Sequence, residues 1–259
     1  MNKKQNILDF YNNWNIDNLP KYIISLMNFE EKLITKLITN SQNFKKITNK
    51  NNTLILDCGC GYGSFYHITK KYNTIYYDFS FNLLKKFENI HNLKTNKICG
   101  IIPTTNNKDK NNKNKYLPFK DNSFNIILCI NVLEHIENYK YALNEFNRIL
   151  KKEGILIIVV VNKNSYINED IFNDFVVYHK PLNISNFKTE NFKIVNYKSF
   201  YFVSPIFKIF PVVLLDNVIL PIFYKIDSKL NKLLKNKGQF LYIEMVKKIK
   251  YHIKYGVFK

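Results

Sequence analysis

Residues Thr53-Leu54-Ile55-Leu56-Asp57-Cys58-Gly59-Cys60-Gly61-Tyr62-Gly63, an apolar run that ends on an acid and three alternating glycines, admit few structures. The run reads as a buried parallel strand that stops at Asp57, turns tightly and enters a helix near Ser64. Glycine lacks a Cβ, so such a turn adopts positive φ and lets a ligand lie against the backbone. Open α/β sheets hold nucleoside-containing ligands in this way, at the carboxyl edge of their strands. The spacing narrows the choice further. A dinucleotide fingerprint, G-x-G-x-x-G, needs glycine at position 64, where the chain has Ser64, and pyrophosphate wants a free helix N-terminus close by. With G-x-G-x-G and a carboxylate just upstream, the turn suits a ligand carrying an ammonium better than one carrying two phosphates.

Leu56-Asp57-x-Gly59-x-Gly61-x-Gly63 resembles the first motif of the class I S-adenosylmethionine (SAM)-dependent methyltransferases. Thr74 to Leu84 resembles that family's second strand, whose terminal acid, here Asp78, grips the ribose hydroxyls of the cofactor. Leu117 to His135 resembles the "LPF, turn, strand, LEH" block of the type 11 subgroup, and Arg148 to Asn162 its helix end and fifth strand. Four ordered motifs are far more specific than one glycine loop. The resemblance implies SAM as cofactor and a doubly wound, mostly parallel seven-stranded α/β sheet with an antiparallel edge strand. It assigns cofactor binding to Asp57, Gly59, Cys60, Gly61, Gly63, Asp78 and Phe79 (beside the adenine), and the edge rule for open sheets adds Asn131, at the end of the fourth strand and facing the cofactor cleft.

The 259 residues are read as one domain: a helical lid over 1–52, a cofactor core over 53–202, an apolar and basic cap over 203–238, and a last strand with tail over 239–259. Residues 6–47 carry two apolar stripes separated by Pro20, and Tyr11, Trp14 and Tyr22 are candidates for a lid over the cofactor. Ser80 is the expected cap of a helix reaching Asn89, and a weak third strand spans Lys97 to Ile102. The asparagine- and lysine-dominated run from Pro103 to Lys115 stands where the family places an acid for the adenine, and its nearest acid is Asp109. An apolar strand is expected from Phe124 to Ile130, then a helix from Tyr139 to Leu150 that Gly154 closes, with the last strand, Phe240 to Val246, antiparallel at the sheet edge.

Two histidines are catalytic candidates: His135, after the fourth strand, and His179, in a Tyr178-His179-Lys180-Pro181-Leu182 stretch that resembles the acceptor-side loop of type 11 members. Neither has a partner visible in the sequence, and a structural histidine is the competing reading for each. No metal site is expected, because Cys58-x-Cys60 lies inside the cofactor turn without a second ligand pair.

The formal net charge of +19 points toward nucleic acid or an anionic membrane surface. Against a selected partner stands the usage itself: Arg148 is the single arginine among 39 basic residues, a pattern that codon bias also produces. The stretch Pro205 to Tyr224 is apolar but is interrupted by Lys208, Pro211, Asp216 and Pro221, so it is no spanning helix. It reads as core packing, a cap over the acceptor pocket, a dimer surface, or a shallow membrane contact through Phe207 and Leu214. The four cysteines without a C-x-x-C pair and an N-terminus leading into no signal-like apolar region suggest a cytoplasmic protein, with peripheral membrane attachment as a variant. The expected function is methyl transfer to a small-molecule or lipid-like acceptor. RNA methylation and SAM binding without catalysis are the alternatives, the former weakened by the lack of an appended RNA-binding module.

Overall fold

The computed structural model describes residues 3–92, 96–103, 116–166, 180–203, 205–234 and 236–248. Seven strands form one sheet: β1 (Leu54–Cys58), β2 (Asn73–Asp78), β3 (Lys97–Cys99), β4 (Phe124–Ile130), β5 (Leu150–Val161), β6 (Phe192–Phe200) and β7 (Phe240–Lys247), in the order β3-β2-β1-β4-β5-β7-β6. The pairs β3·β2, β2·β1, β1·β4 and β4·β5 are parallel. β7 runs antiparallel to both of its neighbours and lies between β5 and β6, so β6, not the last strand, occupies the outer position. The winding reverses between β1 and β4, the place where open α/β sheets leave a crevice beyond the strand ends.

The helices are α1 (Lys3–Asn12), α2 (Lys21–Asn40), α3 (Gln42–Thr48), α4 (Tyr66–Thr69), α5 (Phe81–His91), α6 (Tyr139–Ile149), α7 (Val212–Leu214) and α8 (Leu220–Leu233). Both faces of the sheet are covered, which explains why Leu54–Leu56, Ile126–Ile130 and Ile155–Val161 read as continuous apolar runs rather than alternating ones. On one face Leu56, Ile127, Leu156 and Ile243 pack under α6, through Ala142, Leu143, Phe146 and Ile149. On the other, Ile55, Ile126, Ile157 and Tyr242 pack under α2 and α3, through Leu26, Phe29, Leu33, Ile34, Ile38 and Phe44.

The helix boundaries follow local chemistry. Pro20 opens α2, and Ser41 ends it while capping α3 by accepting the Phe44 N–H at 3.0 Å. Ser80 caps α5 as expected, accepting the Leu83 N–H at 3.2 Å, and Asn92 closes that helix in the left-handed region at φ 51°. Three expectations need correction. The first crossover helix is only Tyr66–Thr69, because the glycine turn continues to Phe65. β3 ends at Cys99, three residues short of Ile102. Gly154 does not close α6: the chain is already extended at Leu150, and the register break between Phe124 and Ile126, with Glu153 at φ 60°, marks a bulge that leads into the long part of β5.

Candidate active site

Parallel pairing of β1 with β2 sets Asp57 beside Tyr76 and Cys58 beside Tyr77, so Asp57 and Asp78 both finish at the carboxyl edge. The turn after β1 is clamped to β2 by two backbone bonds, from the N–H groups of Gly59 and Cys60 to the Tyr77 carbonyl, at 2.7 and 3.2 Å. Asp78 accepts the Gly61 N–H at 2.9 Å through Oδ2 and the Ser80 N–H at 2.8 Å through Oδ1, joining the glycine turn to the start of α5.

Two glycines here do different work. At Gly59, φ 85°, a Cβ would stand 2.2 Å from Val132 Cγ2, so the β4 loop closes directly on this backbone. At Gly61, φ 54°, a Cβ would meet nothing within 4 Å. That open space is the cradle which the alternating glycines require if a ligand is to touch the main chain.

The surroundings of the cradle are acidic. Asp57 is 2 % exposed, and its Oδ2 is buried without a hydrogen-bond partner. Burial, then the neighbouring Asp78, push its carboxyl up to about 7. Burial also raises Asp78 to about 6, opposed by the N–H groups it accepts. Glu134, from the 3₁₀ turn Leu133–His135 after β4, is buried as well, and its carbonyl accepts the Lys180 N–H at 2.7 Å. Asn131, at φ 54°, donates through Nδ2 to Glu30 Oε1 of α2 at 2.6 Å, while its own Oδ1 is buried without a partner. In a chain of net charge +19, this concentration of carboxylates marks a place for a cation.

α1 lies across one side of the crevice. Ser80 Oγ donates to Asn12 Oδ1 at 2.8 Å, Asn82 Nδ2 donates to the Asn12 carbonyl at 2.9 Å, and the Lys86 ammonium donates to the Trp14 carbonyl. These bonds hold Tyr11 edge-on to Phe79, with ring centroids 5.7 Å apart, and its hydroxyl 3.1 Å from His135 Nε2. Burial, Glu134 and Asp78 together push the Tyr11 phenol well up, so it stays protonated. Trp14 packs on Phe10.

Of the residues expected at the site, Asp57, Gly59, Cys60, Gly61, Gly63, Asp78, Phe79 and Asn131 therefore sit on the ends of β1, β2 and β4 or in the turns that follow. His135 has a partner that the sequence did not reveal, Tyr11. His179 and Asp109 lie outside the described residues. Burial raises the Cys58 and Cys60 thiols well above the ordinary thiol range, which favours their protonated form. Glu30 and Glu134 were missed as site residues. Glu30 did carry a signal: it interrupts the buried stripe Leu26, Leu33, Ile34 of α2, where a lone acid calls for a polar partner.

The unpartnered Asp57 oxygen, the open cradle at Gly61 and the carboxylate at the end of β2 fit a ligand with an ammonium group and a ribose. Comparison with known proteins agrees. A family model described as a methyltransferase domain matches residues 56–158. The protein MJ0638 of Methanocaldococcus jannaschii is 52 % identical over 241 residues, 93 % of this chain and 98 % of that one. Among solved structures, a SAM-dependent methyltransferase from Archaeoglobus fulgidus superposes with a TM-score of 0.52 at 18 % identity, covering 86 % of this chain and 99 % of that one. One from Thermotoga maritima gives 0.51 at 16 % identity, covering 86 % and 100 %. The [4+2]-cyclase SpnF shares the fold equally well, with a TM-score of 0.52 at 16 % identity over 80 % of this chain and 79 % of that one. With a methyltransferase domain matching residues 56–158, and with its sheet order and glycine turn, the chain has the fold of the SAM-dependent methyltransferases, which implies S-adenosylmethionine as its cofactor.

Proposed function

We propose that this chain moves the methyl group of SAM to an oxygen, carbon or nitrogen of a small-molecule or lipid-like acceptor. The observation that carries the reading is the buried, unpartnered Oδ2 of Asp57 next to the open face of Gly61. When bound, SAM supplies a methyl group already activated by its sulfonium, so position, dryness and electrostatics are left to the protein. Asp57 holds the ammonium of the amino-acid end, and the backbone from Gly59 to Gly63, Cys60 included, lies against the rest of that arm. Asp78 accepts the ribose hydroxyls on the lone pairs that Gly61 and Ser80 leave open. Phe79 packs beside the adenine, with Tyr11 closing over it and keeping water out.

Asn131 and His135, beyond the end of β4, face the reacting end. An acceptor that must shed a proton, such as a phenol, would give it to the His135 ring, which Tyr11 orients by engaging its Nε2, leaving the opposite nitrogen as the base. His179 is proposed on the acceptor side as well, on its sequence context alone. An acceptor that arrives with a free lone pair needs no base, and then the chain contributes only alignment. No helix of the described residues is long and apolar enough to cross a membrane. We take the protein to work in the cytoplasm.

The decisive experiment incubates the protein with methyl-labelled SAM and fractionated cell extract. Label entering a lipid or small-molecule fraction supports the reading; label in RNA alone, or in no fraction despite SAM binding, overturns it. The second outcome matters because the fold also serves a cyclase. In calorimetry, Asp78→Ala should weaken SAM binding at least tenfold, the worth of one charge-assisted hydrogen bond of ~1.5 kcal/mol. Unchanged affinity would remove Asp78 from the cofactor site.

A further inference from the structure

The segment between β6 and β7 presents two unlike surfaces. Inward, Phe207, Leu215 and Leu220 are buried in the cluster beneath α2. Phe207 is thus a core residue, contrary to the outward place expected for it. Lys36 of α2 donates to the Tyr224 carbonyl at 3.2 Å, and Asp227 accepts the Tyr201 N–H at 2.8 Å, so the helical run 212–233 is tied to the body at several points. The run passes through a π-helical stretch, Leu215–Ile219, just before Pro221. A proline inside a helix forfeits one backbone bond and crowds the carbonyl four residues back, and widening the preceding turn accommodates it.

Outward, the first half of this segment is bare and apolar. Ile209 is 66 % exposed, Val213 74 % and Ile222 50 %, and Ile206, Leu214 and Val218 are exposed beside them. Along α8 the stripe Val218, Ile222 continues at helical spacing into Lys225, Lys229 and Lys232, all exposed. Among the described residues from Pro205 to Leu233, the exposed acid is Asp216 alone, since Asp227 is buried. One face therefore grades from apolar to cationic within a few turns.

We propose that this face docks the enzyme on the surface of an anionic bilayer, with Ile209, Val213, Leu214 and Val218 in the acyl–headgroup boundary and Lys225, Lys229 and Lys232 against lipid phosphates. The grading selects this occupant. Interfacial helices combine an apolar face, buried a few ångströms deep, with lysines at headgroup level. Each lysine near an anionic surface adds to the attraction. A second copy of the chain fits less well. Antiparallel two-fold pairing of the helical run would set the lysine half of each copy on the apolar half of the other. Side-by-side parallel pairing would set lysine against lysine, in molecules that each carry +19. The proposal goes beyond the methyl-transfer reading and stands or falls apart from it. If both hold, α2 connects them: one of its faces carries the docking segment, and its Glu30 holds Asn131 at the cofactor cleft.

The test is co-sedimentation of the full chain with sucrose-loaded vesicles of mixed phosphatidylglycerol and phosphatidylcholine, and with vesicles of phosphatidylcholine alone. The wild type should partition onto the anionic vesicles and far less onto the neutral ones. Val213→Glu/Val218→Glu should abolish this binding, and Lys225→Gln/Lys229→Gln/Lys232→Gln should weaken it about a hundredfold, on the scale of three interfacial lysines. SAM binding by both variants, measured by calorimetry, should equal that of the wild type, which shows them folded and separates docking from the cofactor site. Binding equal on both lipids, no binding, or lysine variants that bind like the wild type would overturn the proposal. So would a wild-type dimer in gel filtration that the glutamate variant dissociates without a change in vesicle binding, since a second copy would then own the face.

Discussion

Asp57→Asn will stabilise the ligand-free protein at pH 8 while weakening its grip on SAM. The carboxyl of Asp57 is held at about 7 in the folded state, above the ordinary aspartate value of about 4, because the site is dry and Asp78 is near. An acid whose folded pKa is raised binds its proton more tightly when folded. Its contribution to stability is therefore full at low pH and drains away as pH rises from about 4 through about 7. At pH 8 the wild type carries a buried, unpartnered charge that asparagine does not. Each unit of that elevation is worth ~1.4 kcal/mol, and the amide must still be buried, so a net gain of about 2 kcal/mol, or roughly 5 °C in Tm, is expected. The advantage should shrink as pH falls below about 7, where the wild-type carboxyl takes up its proton. SAM affinity should fall tenfold to about a hundredfold, the worth of a charge-assisted bond to the ammonium. Thermal melts across pH, with and without SAM, read both effects. A variant that melts lower at pH 8 and binds SAM as tightly as the wild type would show that Asp57 does not await a cation.

Gly61→Asn should abolish SAM binding with little loss of fold. The backbone here is left-handed at φ 54°, a region that asparagine adopts more readily than other side chains. No heavy atom would meet the new Cβ within 4 Å, so the body of the protein has nothing to push aside. The space that the amide enters is the space proposed for the methionyl arm, and affinity should drop more than about a hundredfold, a loss above ~2.7 kcal/mol. Tm should move by only a few degrees, given a cost near ~1 kcal/mol for leaving glycine. Calorimetry that finds SAM binding intact would place the cofactor elsewhere. A collapse of folding would instead mean that the cradle is closed in solution.

Much of the architecture was legible because its signals are local. The strand Phe124–Ile130 stands where an apolar run, interrupted only at Asn125, stops at Asn131. Ser80 caps α5 because a hydroxyl one residue ahead of an apolar stripe has a waiting N–H. Asp57 and Asp78 were readable as a pair because acids at the ends of parallel strands can go nowhere but the shared edge. What escaped depends on partners far apart in sequence. The Tyr11–His135 contact joins residues 124 positions apart, and Glu30–Asn131 residues 101 apart, so no spacing rule announces either. Gly154 misled because glycine after a helix usually marks its end, whereas here the chain had already turned into a bulged strand. Phe207 misled because an apolar run with lysines around it does not say which residues tertiary packing will claim.

The place of β7 also bears on how the molecule is made. A ribosome delivers β5 and β6 well before Phe240–Lys247, yet neither has its neighbour on that side until the last strand slides between them. Throughout that interval two strands, one of them apolar from Ile155 to Val161, expose open backbone edges, the condition in which nascent chains stick to one another. Completion of the sheet is thus a late, long-range event. Growth conditions that supply holdases during that interval should raise the yield of folded protein.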